Sequence, residues 1–156
     1  MFGLFKSRQK KILSPVDGEI VDISSVPDEV FSQKMVGDGV AVRPENGLFC
    51  APIDGIVAKI FATNHAFTVR GEKSLEVMVH IGLETVALEG RGFERLVSEG
   101  DRVKAGDPVI RADLDYISKH ALERITPIVI SEESCVKEIE KKLHNVKQGD
   151  VIMEVV

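Results

Sequence analysis

Short runs of Val, Ile and Ala, broken every eight to twelve residues or so by Gly, Pro and Asp, set the rhythm of the chain from Leu13 onward. Glu19-Ile20-Val21-Asp22-Ile23 alternates apolar with polar, Val40-Ala41-Val42-Arg43 is short and β-branched, and Ile56 to Phe61 follows an Asp-Gly turn signal. Each predicts a strand. Helical periodicity is confined to two segments. Asp113 to Leu122 has Asp113 as N-cap, and Glu132 to Leu143 aligns Val136, Ile139 and Leu143 on one face behind a Ser131 cap. The pattern predicts an all-β fold, an antiparallel β-sandwich or flattened barrel with a few short covering helices. Two motifs recur: Ser14-Pro15-Val16-Asp17-Gly18 as Ala51-Pro52-Ile53-Asp54-Gly55, and Val103-Lys104-Ala105-Gly106-Asp107 as Val146-Lys147-Gln148-Gly149-Asp150. Two copies are too few for a solenoid, so a pseudo-symmetric sandwich is expected, with Gly and Asp serving its turns.

The stretch Leu75-Glu76-Val77-Met78-Val79-His80-Ile81 places Leu75, Val77, Val79 and Ile81 on a core face and Glu76, Met78 and His80 on the other. Upstream, His65 to Arg70 is also extended, and the polar loop Gly71-Glu72-Lys73-Ser74 joins the two as a hairpin. With that loop, Arg70 faces Leu75, Phe67 faces Met78 and His65 faces His80, both imidazoles lying away from the core. A slip of one residue separates them onto opposite faces. Thr63 shares their face and offers a hydroxyl to orient one ring. Two adjoining imidazoles on an apolar surface resist double protonation, leaving a neutral ring with a free lone pair. Such a pair suits phosphoryl transfer through a phosphohistidine, or zinc binding if a partner supplies further ligands, or simple packing.

Composition narrows the setting. The 156 residues suit one domain, taken as 14–156, behind an N-terminal tail at 1–13. With 44% hydrophobic and 29% charged residues the chain folds, and a net charge of −5 speaks against a nucleic-acid partner. No apolar run is long enough to cross a bilayer, and the expected location is cytoplasmic. Met1, Phe2, Leu4 and Phe5 followed by Lys6, Arg8, Lys10 and Lys11 make at most a weak membrane contact. Cys50 and Cys135 read as reduced structural thiols, and His120 and His144 are assigned no chemistry.

Three strings carry a resemblance: VPDEVFSQKMVGDGVAVRP at 26–44, APIDGIVAKIFATNHAF at 51–67 and EVMVHIGLETVALEGRGFE at 76–94. The chain resembles, from about Ser14 to Val155, the glucose-family IIA component of the bacterial phosphoenolpyruvate-dependent sugar phosphotransferase system, with EGDRVKAGD and TPIVIS also in order. The resemblance implies a compact antiparallel sandwich that relays phosphate without a bound cofactor or resident metal. It implies that His80 carries the phosphoryl group on Nε2, that His65 stabilises it, and that Thr63 hydrogen-bonds the pair. The implied flow runs from the phosphohistidine carrier HPr to His80 and on to a cysteine of a permease IIB domain; regulatory targets of the unphosphorylated form, which some relatives have, are left open by the sequence, and a monomer is the default expectation. An apolar docking surface at Phe31, Met35, Val36, Phe61, Phe67, Met78 and Val86, with Asp28 and Glu84 on an acidic rim, is implied too. Met78 and Glu84 stand where the enteric members have Phe and Asp, which bears on partner preference.

Overall fold

The computed structural model describes residues 10–134 and 136–156. Strands β1 (Lys10–Leu13), β2 (Gly18–Asp22), β3 (Gly37–Pro44), β4 (Leu48–Cys50), β5 (Gly55–Ile60), β6 (Ala66–Arg70) and β7 (Glu76–His80) form the first half. The second half adds β8 (Phe93–Arg95), β9 (Arg102–Val103), β10 (Pro108–Ala112), β11 (Thr126–Ser131), β12 (Ile139–Lys141), β13 (Asn145–Val146) and β14 (Val151–Val155). Two α-helices join them, α1 (Glu29–Ser32) and α2 (Leu114–His120). An eight-stranded sheet runs β13-β2-β3-β11-β7-β6-β5-β9, flanked by the three-stranded sheets β1-β14-β12 and β4-β10-β8. Neighbours pair antiparallel, and the large sheet stays open at β13 and β9, so the architecture is a sandwich and not a closed barrel.

The repeated motifs explain the pseudo-symmetry. Asp17 Oδ1 accepts from the Gln148 backbone N–H at 2.6 Å, and Asp54 Oδ1 accepts from the Ala105 N–H at 2.7 Å. In both halves the turn aspartate also caps its own turn, Lys104 N–H to Asp107 at 2.8 Å and Lys147 N–H to Asp150 at 2.9 Å. Each first-motif copy thus locks onto one second-motif copy, through backbone pairing of Gly55 with Val103 and of Gly18 with Val146. The aspartates accept from turn N–H groups that have no partner in the strand ladders, which fixes the turn conformation.

The main core fills the inner face, with Val40, Val42, Val57, Phe67, Val69, Val77, Val79, Ile110 and Ile128 fully or almost fully buried. A smaller cluster covers part of the outer face: Ile23, Val26, Phe31, Ala41, Leu83, Ile125 and Val129, with Met78 packed against it. That second cluster matters because β7 presents His80 at its edge.

Two expectations about the elements fail. Glu132 to Leu143 is not helical: Ile139–Lys141 pairs with β14, and Leu143 is 49% exposed. The local 3.6-residue spacing loses to the pairing needs of an edge strand and to Lys141, whose Nζ donates to Asp22 at 2.6 Å and Asp38 at 2.8 Å. Residues 10–13 are no tail but strand β1, paired with β14, whose other edge β12 takes. The tail's remainder, residues 1–9 with their suggested membrane contact, lies outside the described residues, as does Cys135. The other helix expectation holds closely: Asp113 caps α2, accepting from the Tyr116 N–H at 3.0 Å.

Lys141 staples β12 onto β2 and β3. Burial pushes the Asp22 and Asp38 carboxyls up most strongly, but the Lys141 hydrogen bonds and charge, together with hydrogen bonds from Ser24 to Asp22 and from the Gly39 N–H to Asp38, outweigh it in sum and hold both below the ordinary range. Lys141→Met should leave two poorly hydrated carboxylates facing each other, lowering stability by about 2 kcal/mol. A calorimetric midpoint unchanged by the substitution would refute this.

Candidate functional site

His80 ends β7, where alternation turns Val77 and Val79 inward and Met78 and His80 outward. His65 reaches it by an unexpected route. The observed register pairs Ala66 with His80, Phe67 with Val79 and Arg70 with Glu76, one residue away from the expected alignment. Gly71 to Leu75 form the hairpin loop, since the Gly71 N–H donates back to the Leu75 carbonyl and brings Leu75 into the turn. Phe67 therefore faces Val79 inside the main core with no exposed surface, and it is not part of any docking face. Met78 lies opposite Thr68 instead.

Despite the slip, the two rings meet, with centroids 4.8 Å apart and planes at 78°. His65 precedes the first residue of β6 and follows Asn64, whose φ is 59°, so alternation along the strand no longer dictates its direction. Its carbonyl still accepts from the Ile81 N–H at 2.8 Å. The turn before it is closed by the Asn64 N–H donating to the Phe61 carbonyl at 2.7 Å. Within that turn, Thr63 Oγ1 lies 2.5 Å from His65 Nδ1, the orienting hydroxyl expected from sequence.

The protonation states follow from the partners. His80 Nδ1 is 2.8 Å from the Gly82 carbonyl, which can only accept, so Nδ1 carries the proton and a neutral ring keeps its lone pair on Nε2. Burial pushes His80 below the usual imidazole range, against the pull of the Gly82 carbonyl and of Asp28. His65, 3% exposed, is pushed down to about 4, first by burial and then by the charge of His80. Both rings are neutral near neutral pH. The Thr63 hydroxyl can donate or accept, and in the tautomer where it donates to Nδ1 the His65 proton sits on Nε2, available to an oxygen held near His80.

This burial has a measurable consequence. Between about 4 and the ordinary 6.5, the unfolded chain binds a proton at His65 that the folded chain refuses, so stability rises with pH. His65 thus contributes stability above the upper value, and that contribution is lost as pH falls toward the lower one. The full swing is on the order of 3 kcal/mol, and the downward shift of His80 acts in the same sense. In urea unfolding between about pH 7.5 and pH 5, wild type should lose more stability than His65→Ala; equal losses would contradict it.

A depression of about 380 Å³ lies in front of His80, lined by Asp28, Val30, Phe31, Val36, Phe61, Met78, Glu84 and Val86. Phe31 is buried with its ring 5.0 Å from His80, and Phe61 stands edge-on to His65 at 5.3 Å. Val86 and Val36 are 56% and 37% exposed. Met35 is exposed but does not line the depression. Asp28 caps α1 through the Val30 N–H at 2.9 Å, and Glu84 sits at φ 57° at the loop's start, which sets both carboxylates on the rim. Sequence reasoning missed Val30, the acceptor role of Gly82 and α1 itself. The Asp-Glu-Val-Phe cap signal at 28–31 would have disclosed that helix. Among the described residues no group of three or more His, Cys, Asp or Glu side chains is placed to hold a metal ion. His120 stacks on Tyr116 and His144 bonds the Asn145 carbonyl, both outside the site.

Fold and site together define an open antiparallel sandwich with a neutral histidine pair on its outer face. A family model for the phosphoenolpyruvate-dependent sugar phosphotransferase system, EIIA 1, matches residues 10–136, and the chain belongs to that family. The glucose-specific EIIA component of Haemophilus influenzae is 47% identical over 148 residues, 95% of this chain and 89% of the relative. The glucose-specific EIICBA component of Staphylococcus carnosus is 48% identical over 143 residues, 91% of this chain but 21% of that protein, so this chain spans about a fifth of its length. Glucose permease IIA from Mycoplasma capricolum superposes with a TM-score of 0.89 at 38% identity, covering 94% of this chain and 96% of that one. Among the described residues, no helix is long and apolar enough to cross a membrane.

Proposed function

We propose that this chain relays a phosphoryl group between proteins in sugar uptake, with His80 as acceptor. The carrying observation is the His80 Nδ1–H bond to the Gly82 carbonyl, which leaves Nε2 as an unprotonated nucleophile facing the apolar depression. The Nε2 lone pair attacks the phosphorus of a phosphohistidine on HPr. The donor's P–N bond breaks, its pair returns to the donor ring, and a P–N bond forms at His80. Positive charge then grows on the His80 ring, and the Gly82 carbonyl faces the Nδ1 proton that bears it. In the second step a cysteine thiolate of a permease IIB domain attacks the phosphorus and the pair of the P–N bond returns to Nε2. His65 Nε2–H donates to the phosphoryl oxygens during both steps, and its own low basicity keeps it from competing as a cation.

The surroundings support this reading. Val30, Val36, Met78 and Val86 exclude water from a labile phosphoryl group, while Asp28 and Glu84 steer basic partners into register. The relative with EIIC and EIIB in the same chain supports a sugar permease as partner. Incubation with phosphoenolpyruvate and the two general phosphotransferase proteins, followed by intact-mass measurement, should add one phosphoryl group per chain. Absence of the added mass, with a known EIIA labelled in the same mixture, would overturn the assignment.

A further inference from the structure

Arg95 ends β8, in the small sheet β4-β10-β8, opposite Ile110. Its side chain leaves that sheet and reaches the turn before β6. Arg95 Nε donates to Asn64 Oδ1 at 3.0 Å, and Nη2 donates to the Phe61 carbonyl at 3.5 Å. The same carbonyl accepts the Asn64 N–H that closes the turn, so one planar guanidinium grips both ends of the segment containing Thr63. Asn64 is left-handed at φ 59°, a conformation its side chain tolerates but does not enforce. His65 stands immediately beyond, outside strand alternation, and its Nδ1 partner is Thr63. The β6–β7 pairing reaches His65 only through its backbone carbonyl, while the side-chain hydrogen bond to the ring comes from the turn.

We propose that Arg95 is a positioning residue for phosphoryl transfer: its fork onto Asn64 and Phe61 sets the Thr63–His65 pair and so aims His65 Nε2–H at the group on His80. The proposal rests on the relay reading above. An exposed arginine of this kind contributes little to stability, because solvent screens it. Its leverage is geometric, since displacing a donor by about 1 Å can cost on the order of a hundredfold in rate. Lysine offers a point charge without the fork, so Arg95→Lys is expected to behave like Arg95→Met. Asn64→Gly accepts the left-handed backbone freely while deleting Oδ1, and should reproduce the defect without straining the turn.

The test uses the full chain in four forms: wild type, Arg95→Met, Arg95→Lys and Asn64→Gly. Histidine titration by NMR is expected to show His65 rising from about 4 toward 6.5 in all three variants as the loosened ring gains water. Transfer from phosphorylated protein to the IIB cysteine should slow roughly tenfold, with the melting temperature within a few degrees of wild type. A purely structural role would lower the melting temperature and leave the titration unmoved, overturning the proposal. Full rescue by lysine would likewise overturn it, since charge alone would suffice. Should Arg95→Met not fold, Asn64→Gly decides. If wild type takes up no phosphoryl group, the relay reading fails by itself, and the His65 titration still reports whether Arg95 holds the ring.

Discussion

His80→Ala is expected to take up no phosphoryl group at all, while His65→Ala is still labelled but passes the group on at about a hundredth of the wild-type rate or less. The asymmetry comes from the two rings' partners. His80 alone has its Nδ1 proton pinned on a carbonyl, which assigns the nucleophilic lone pair to its Nε2. His65 is bonded through Nδ1 to a hydroxyl that can donate, which leaves its Nε2 proton for charge stabilisation. Removing a donor aimed at developing charge typically costs two to three orders of magnitude, roughly 3–4 kcal/mol of barrier. Acceptance suffers less, because the attacking atom and the docking face remain. Intact mass for labelling, and rapid-quench transfer to the IIB cysteine, read the two steps separately. Labelling of His80→Ala, or wild-type transfer by His65→Ala, would contradict the roles assigned.

Gly82→Ala should cripple the site from outside it. Gly82 has φ +75°, and a Cβ there would lie 2.6 Å from Thr85 Cγ2 and 2.8 Å from the Glu123 carbonyl. Thr85 cannot swing away, because it is buried and its hydroxyl donates to the Ile81 carbonyl at 2.7 Å. Glu123 is held by the Leu83 N–H at 2.7 Å. The loop has to move, and with it the acceptor of the His80 Nδ1 proton. A loss of about 2–4 kcal/mol in stability is expected, with a mixed His80 tautomer and phosphoryl uptake slowed at least tenfold. Nitrogen NMR shifts of His80 report the tautomer directly. An unchanged Nδ1–H form in the variant would show that Gly82 is dispensable to the acceptor.

How much of this could be read beforehand differs element by element. The core face Leu75, Val77, Val79 and Ile81 was legible because a period of two is a local property of the chain. Asp113 as N-cap was legible for the same reason. Glu132 to Leu143 was misleading, since its apolar spacing satisfied a helix while the vacant edge of β14 and the carboxylates of Asp22 and Asp38 drew it into a strand. The hairpin register erred by one residue because polarity marks where a loop lies but not which backbone groups close it; Gly71 bonding to Leu75 added a residue. Phe67 consequently belongs to the core.

The amino-acid order alone determined the strand-rich fold, the inward set of aliphatic residues, the turn motifs in two copies and the candidacy of His65, His80 and Thr63. Each depends on neighbours a few positions apart. Tertiary structure decided that the two imidazoles meet despite the register, that Phe31 rather than Phe67 packs beside His80, and that Gly82 fixes the tautomer. Those outcomes depend on a left-handed residue at Asn64, on the smaller apolar cluster covering the outer face, and on segments far apart in sequence closing over one another. Local spacing carries no information about such closures, because they are set by which distant surfaces bury each other best.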